Sequence, residues 1–249
     1  MKTMSLINKK GGVGKTTITV NLAYALAESC DLRVLVVDND DQGNATQFFG
    51  ARAESGLADV LTGADIRACL SKTRYSLIDL LPSDERLLEA NMAVIKDETI
   101  VQQSILKDAL QSIDEMYDIC LIDNPPSINA SVINALVASD EVIIVTTPDM
   151  YGLRGVEQMI TYINAIQAGY NPQLRFRGCL LNKFSMTPHG FKILAKLRKD
   201  IPLFRSRIRY TKDKPEAAAE EQQAIFEYSP NCGFSCDLVK FLRELMEGM

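Results

Sequence analysis

With 249 residues, 47% of them hydrophobic, the chain can build one large α/β core, and no Pro/Gly/Ser-rich linker divides it. Its net charge of −5 excludes uniform attraction to nucleic acid, and no apolar run approaches the ~18 residues of a membrane span. The six cysteines are scattered and His189 is the single histidine, so a disulfide scaffold, a zinc cluster and a Ser–His or Cys–His catalytic pair all lack support.

Met4–Ile7 is a short apolar run that reads as a strand. Val20, Ala23, Tyr24 and Ala27 recur at helical spacing further on. Between them stands Asn8-Lys9-Lys10-Gly11-Gly12-Val13-Gly14-Lys15-Thr16-Thr17, a glycine loop between strand and helix. Such a loop turns backbone N–H groups and a helix N-terminus toward one point, which suits a phosphate chain. Lys15 supplies a point charge for β/γ-phosphates, and the Thr16 hydroxyl stands where it can bind Mg²⁺. The usual G-x-x-x-x-G-K-[ST] pattern fails at its first position, which is Lys9, and a second lysine, Lys10, precedes the glycines.

Residues 33–38 read as a buried parallel strand ending in Asp38. The polar loop 39–46 follows, on the edge where open α/β sheets bind ligands, so Asp38 and Asp40 can face a nucleotide's Mg²⁺ and an attacking water. A short helix is expected over 55–62, a strand over 75–81, and two helices over 83–97 and 99–116. Residues 117–123 form an apolar strand ending in Asp123, a carboxylate able to hold Mg²⁺ through water, and Asn124-Pro125-Pro126-Ser127 make the next loop stiff. Further strands are expected over 141–147 and 175–182, with helices to about 168, over 187–199 and over 236–247. Asn182, at the end of its strand, is placed to hydrogen-bond an adenine edge. Residues 171–214 hold twelve Lys/Arg against Asp200 and Asp213, a net of +10, which leaves −15 on the rest of the chain. A basic segment on an acidic body is a candidate polyanion footprint, or else a face for an acidic protein.

The K-G-G-V-G-K-T-T stretch resembles the deviant P-loop (deviant Walker A) of the ParA/MinD ATPases. The next two motifs extend the resemblance to ParA/Soj-type partition ATPases. Residues 38–46 keep the family's D-x-D-P-Q-G-N-A-T except for Asp41 in place of Pro. Residues 123–127 keep D-C-P-P-S except for Asn124. Residues 201–217 match the family's I-P-R-x-V-R-x-x-E-A only loosely.

The resemblance implies a doubly wound, mostly parallel sheet flanked by helices, acting as a single P-loop ATPase domain over 1–249. It implies ATP and Mg²⁺ on Lys10, Gly11, Gly12, Val13, Gly14, Lys15, Thr16 and Thr17, with Asn182 at the base. Thr16, Asp38 and Asp123 would serve the metal, and Asp40 the water. Lys10 would reach the nucleotide across an ATP-dependent homodimer. That dimer would bind DNA without sequence preference, through Arg205, Arg207, Arg209 and Lys212, and a ParB-like partner would stimulate a slow hydrolysis. The expected location is the cytoplasm, on the nucleoid in the ATP state. The alternatives are a MinD-like membrane-associated positioning ATPase, or a ParA-like ATPase that positions protein cargo or serves conjugation. A MinD-type C-terminal helix wants a basic polar face, whereas here Asp237, Glu244 and Glu247 offset Lys240 and Arg243.

Overall fold

The computed structural model describes residues 1–96, 102–211 and 213–247. In chain order the elements are β1 (Lys2–Ile7), α1 (Lys15–Cys30), β2 (Val34–Asp38), α2 (Asn44–Phe48), α3 (Leu57–Leu61), α4 (Ile66–Cys69), β3 (Ser71–Lys72), β4 (Ile78–Leu81) and α5 (Arg86–Lys96). They continue with α6 (Ile105–Gln111), a 3₁₀ turn (Asp114–Met116), β5 (Ile119–Asp123), α7 (Ala130–Ala138), β6 (Glu141–Thr146), α8 (Met150–Gly169), β7 (Arg175–Phe184) and α9 (Pro188–Asp200). The last are β8 (Leu203–Arg209), α10 (Lys214–Glu220), α11 (Ile225–Tyr228) and α12 (Gly233–Glu247).

Among the described residues, eight strands form one sheet in the order β3-β4-β2-β5-β1-β6-β7-β8. Every pairing is parallel except the short edge pair β3–β4. The central strands β2, β4, β5 and β6 are buried along their whole length, as strands covered by helices on both faces must be. One apolar layer joins α1, α2, α11 and α12 to the sheet, and two clusters on the other face join α3 to α9. From β1 the chain passes over β5 to β2, and later passes from β5 over β1 to β6. The loop after β1 therefore stands where the direction of winding reverses, at the strands' C-terminal ends, the place where open α/β sheets bind ligands. The β2–β5 register sets Asp38 directly beside Asp123.

Several expected elements differ in extent. The strand expected over 75–81 begins only at Ile78, because Tyr75 turns its hydroxyl to Glu227 (2.5 Å) and accepts from the Ala224 N–H. The helix pair expected over 83–97 and 99–116 is observed as α5, α6 and a 3₁₀ turn, and residues 97–101 lie outside the described residues. Segment 201–217 contains an unexpected edge strand, β8, whose Phe204 and Ile208 are buried while charged residues alternate with them. The last helix starts at Gly233 rather than Cys236, and Leu238, Phe241, Leu242 and Leu245 are buried against β8 and α1. No helix among the described residues is long and apolar enough to cross a membrane.

Candidate active site

The loop 8–14 is anchored at its start by Asn8, whose side-chain amide donates to the Val145 carbonyl (2.7 Å) and whose Oδ1 accepts from the Lys10 N–H (2.9 Å). It ends at Gly14, with φ of +91°. A Cβ there would sit 2.3 Å from the Asn182 side-chain nitrogen, so both backbone and space demand glycine. Helix α1 begins at the next residue and directs its free N–H groups into the cavity.

Three hydroxyls and three carboxylates converge here. Thr16 Oγ1 donates to Asp123 at 2.6 Å and Thr19 Oγ1 at 3.2 Å. Asp38 accepts from the Thr46 N–H (2.7 Å), the Thr46 hydroxyl (2.8 Å) and the Asp40 N–H (3.2 Å). Burial pushes Asp123 up to about 7, and the Asp38 charge adds to it, against Thr16, Lys15 and Thr19. Burial likewise pushes Asp38 up to about 6. Lys15 is lowered by burial, against the pull of Asp123 and Asp40. Two buried carboxylates driven toward protonation, with a threonine hydroxyl beside them, are a hard oxygen set whose strain a divalent cation relieves; they fit Mg²⁺.

Asp40 is nearly buried and accepts from the Gln42 N–H at 3.1 Å. Burial raises its pKa, and Asp41 raises it further. Asn124 forms a buried pair with Asn39, which donates to its Oδ1 at 2.8 Å. That contact gives the second departure from the family pattern a structural use.

Lys15, Thr16 and Asp40 line a cavity of about 500 Å³, with Asp123 behind Thr16 and Asp38 beside Asp123. Gly11, Gly12, Gly14, Lys15, Thr16, Thr17, Asp40 and Asp41 are among its lining residues. Pro125, Asn182, Lys183, Tyr210, Pro215 and Phe234 contribute other walls. Val13 is fully buried beneath the loop, and its carbonyl accepts from the Asn182 side-chain amide (2.8 Å). Asn182 Oδ1 accepts from the Lys183 N–H, so Asn182 braces the loop as well as lining the cavity.

Lys10 does not point into the cavity. Its amine donates to Asp149 (2.6 Å) and Thr147 (3.1 Å). Arg209 lines the cavity and forms a two-pronged ion pair with Asp237 (2.6 and 2.8 Å). Arg205 is held by Glu244 and Glu247, and Arg207 lies over the Phe184 ring. Lys212 lies outside the described residues. His189 is exposed near the start of α9.

Sequence reasoning missed Thr19, Thr46, Lys183 and the Thr147/Asp149 pair. Thr19 stands three residues beyond Thr16 on the same helix face, a signal that was available. Lys183 donates to the Gly12 carbonyl (3.0 Å) from a left-handed backbone position, for which sequence offered no cue.

Residues 1–176 match the family model described as an AAA domain. The chain is 36% identical over 203 residues to the sporulation initiation inhibitor protein Soj of Bacillus subtilis, spanning 80% of this chain and 79% of that protein. It is 37% identical over 184 residues to the chromosome-partitioning ATPase Soj of Thermus thermophilus, spanning 74% and 70%. Among solved structures, cobyrinic acid a,c-diamide synthase of Mycobacterium smegmatis with bound ATP analogue and magnesium superposes with a TM-score of 0.80 at 31% identity, over 89% of this chain and 92% of that one. The chain belongs to the ParA/Soj-type partition ATPases of the ParA/MinD superfamily.

Proposed function

We propose that the whole chain works as one ATP-dependent DNA-partition switch. The observation that carries this is the convergence of Lys15, Thr16 and Asp40 on one cavity under a glycine loop, with Asp123 accepting from Thr16 behind it and Asp38 beside Asp123 in the sheet. ATP lies with its phosphates on residues 10–17 and its base toward Asn182. Thr16, Asp38 and Asp123 would hold Mg²⁺, which when bound would supply positive charge against the phosphates. Lys15 and the loop N–H groups take charge that builds as the γ-phosphoryl group leaves. Asp40 orients the attacking water and accepts its proton, and the products are ADP and phosphate. Release of the γ-phosphate frees the loops after β2 and β5.

Lys10 acts across a homodimer, exchanging Asp149 of its own chain for the partner's nucleotide. In the single chain Arg205 and Arg209 are paired internally. Lys192, Lys196 and Lys199, none of which has an ion pair among the described residues, recur at i, i+4 and i+7 on the exposed side of α9. They extend the DNA footprint begun by the arginines of β8. A ParB-like protein stimulates hydrolysis, and the protein works in the cytoplasm on the nucleoid. A membrane role is disfavoured because the apolar side of α12 is used in the chain's own core.

The deciding experiment is a DNA-binding titration with ADP, ATP and a non-hydrolysable analogue across salt. Binding should require the triphosphate and fall steeply with salt, because phosphate contacts release counterions. Nucleotide-independent or salt-insensitive binding would refute the partition reading.

A further inference from the structure

Helix α5 buries Leu87, Ala90, Asn91 and Val94 against α3 and α7. Its opposite side carries Leu88, Met92 and Ile95, which are 52%, 56% and 62% exposed. They recur at i, i+4 and i+7, a continuous apolar stripe on a surface helix. Glu85 and Glu89 flank the stripe at one end and Lys96 at the other, and none of the three has an ion pair among the described residues. Both nucleotide-sensing loops are tied to this helix. Thr46, which holds Asp38, accepts from the Ser83 N–H (2.9 Å) just before α5. Asn91 accepts from the Ser131 N–H (2.7 Å), at the start of the helix that follows the Asp123 loop.

We propose that this face is covered by the same face of a second copy, packed antiparallel about a two-fold axis passing beside Met92. The inference rests on the ATP-dependent dimer proposed above. The stripe is self-complementary about Met92, as an isologous contact requires. At a rise of about 1.5 Å per residue, Leu88 lies about 6 Å to one side of Met92 and Ile95 about 4.5 Å to the other. Antiparallel packing therefore sets Leu88 beside the partner subunit's Ile95, and Glu89 beside the partner subunit's Lys96. A parallel pairing would oppose Glu89 to its own copy, and a uniformly basic partner would oppose Lys96. One helix pair covers well under the roughly 1,000 Å² that a stable interface needs. The contact therefore adds to a nucleotide-bridged dimer and cannot replace it. Because α5 hangs from both sensing loops, its meeting with the second copy depends on the nucleotide.

The test is site-directed cross-linking in a background carrying Cys30→Ser and Cys236→Ser. Met92→Cys, treated with a short bismaleimide and a non-hydrolysable ATP analogue, should give a covalent dimer. Glu28→Cys, on α1, should give little. Charge exchange supplies the second measurement. Glu89→Lys and Lys96→Glu should each weaken the nucleotide-dependent dimer severalfold in sedimentation, and the double variant should recover most of the loss. A nucleotide-dependent dimer without the Met92→Cys cross-link, or a double variant no better than the singles, overturns the proposal while leaving the ATPase reading intact. Protection of α5 from hydrogen exchange only when a different protein is added would assign the face to that protein instead. Absence of any nucleotide-dependent dimer in the parent would overturn the proposal and the dimer reading together.

Discussion

Asp123 and Asp38 stand side by side because two parallel strands end in register, and neither has a full counter-charge. A carboxyl whose folded pKa is raised binds protons more tightly in the fold than in the unfolded chain. Its contribution to stability is complete below about pH 4, the ordinary carboxylate range, and is lost as pH rises through the folded values of about 6 and 7. Asp123→Asn, which removes the charge and keeps the shape, should therefore stabilise the nucleotide-free protein. The gain over the parent should grow between pH 4 and pH 7 and level off above, at on the order of 2–4 kcal/mol. Urea titrations at several pH values measure it, and a gain independent of pH would contradict the assignment. The same variant should bind Mg²⁺–ATP poorly. Asp41 acts at the same scale. Its charge helps to hold the Asp40 pKa up, so Asp41→Asn should move the acid limb of the ATPase pH profile to lower pH and leave the basic limb in place.

At the scale of elements, the cavity's outer wall depends on how α12 lies on β8. Phe241 is fully buried and meets Phe204 edge-on, with ring centroids 4.9 Å apart. Asp237, one turn earlier, holds Arg209 on the cavity wall. Phe241→Ala should cost about 3–5 kcal/mol in denaturant unfolding and weaken nucleotide binding through the displaced Arg209. A second element, the phosphate loop, depends on one backbone conformation. Gly14→Ala would put a Cβ into the Asn182 side chain at a positive φ. It should therefore abolish nucleotide binding and lower the thermal midpoint, which differential scanning calorimetry with and without ATP would reveal.

At the scale of the whole molecule, the proposed dimer turns on one lysine. Lys10, the extra lysine before the glycines of the phosphate loop, is held by Asp149 of its own chain. Lys10→Ala should consequently retain ATP binding within a few-fold while losing nucleotide-dependent dimerisation. Isothermal titration and light scattering separate the two effects, and a variant that still dimerises like its parent would remove the cross-subunit role.

Much of this was legible in the residues. The phosphate loop is a local motif in which strand, glycines, lysine and threonine follow one another without interruption, so neighbouring residues alone specify it. Asp38 and Asp123 were legible because each ends an apolar run. The sheet's parallel character was legible in fully apolar strands separated by helical patterns. Strand β8 was hidden, because an edge strand with arginines at alternate positions buries only Phe204 and Ile208. The pairing of Arg205 and Arg209 with α12 was equally hidden, since a basic run reads the same whether its partners are solvent, DNA or a helix about 30 to 40 residues away in sequence. By itself, then, the sequence determined the glycine loop with its lysine and threonine, where contiguous residues form the motif. Only the tertiary structure decided which cations are already neutralised, that Lys10 starts on Asp149, and that α5 shows an uncovered apolar face. Those depend on contacts between residues far apart in the chain, whose formation is a matter of packing and not of local pattern.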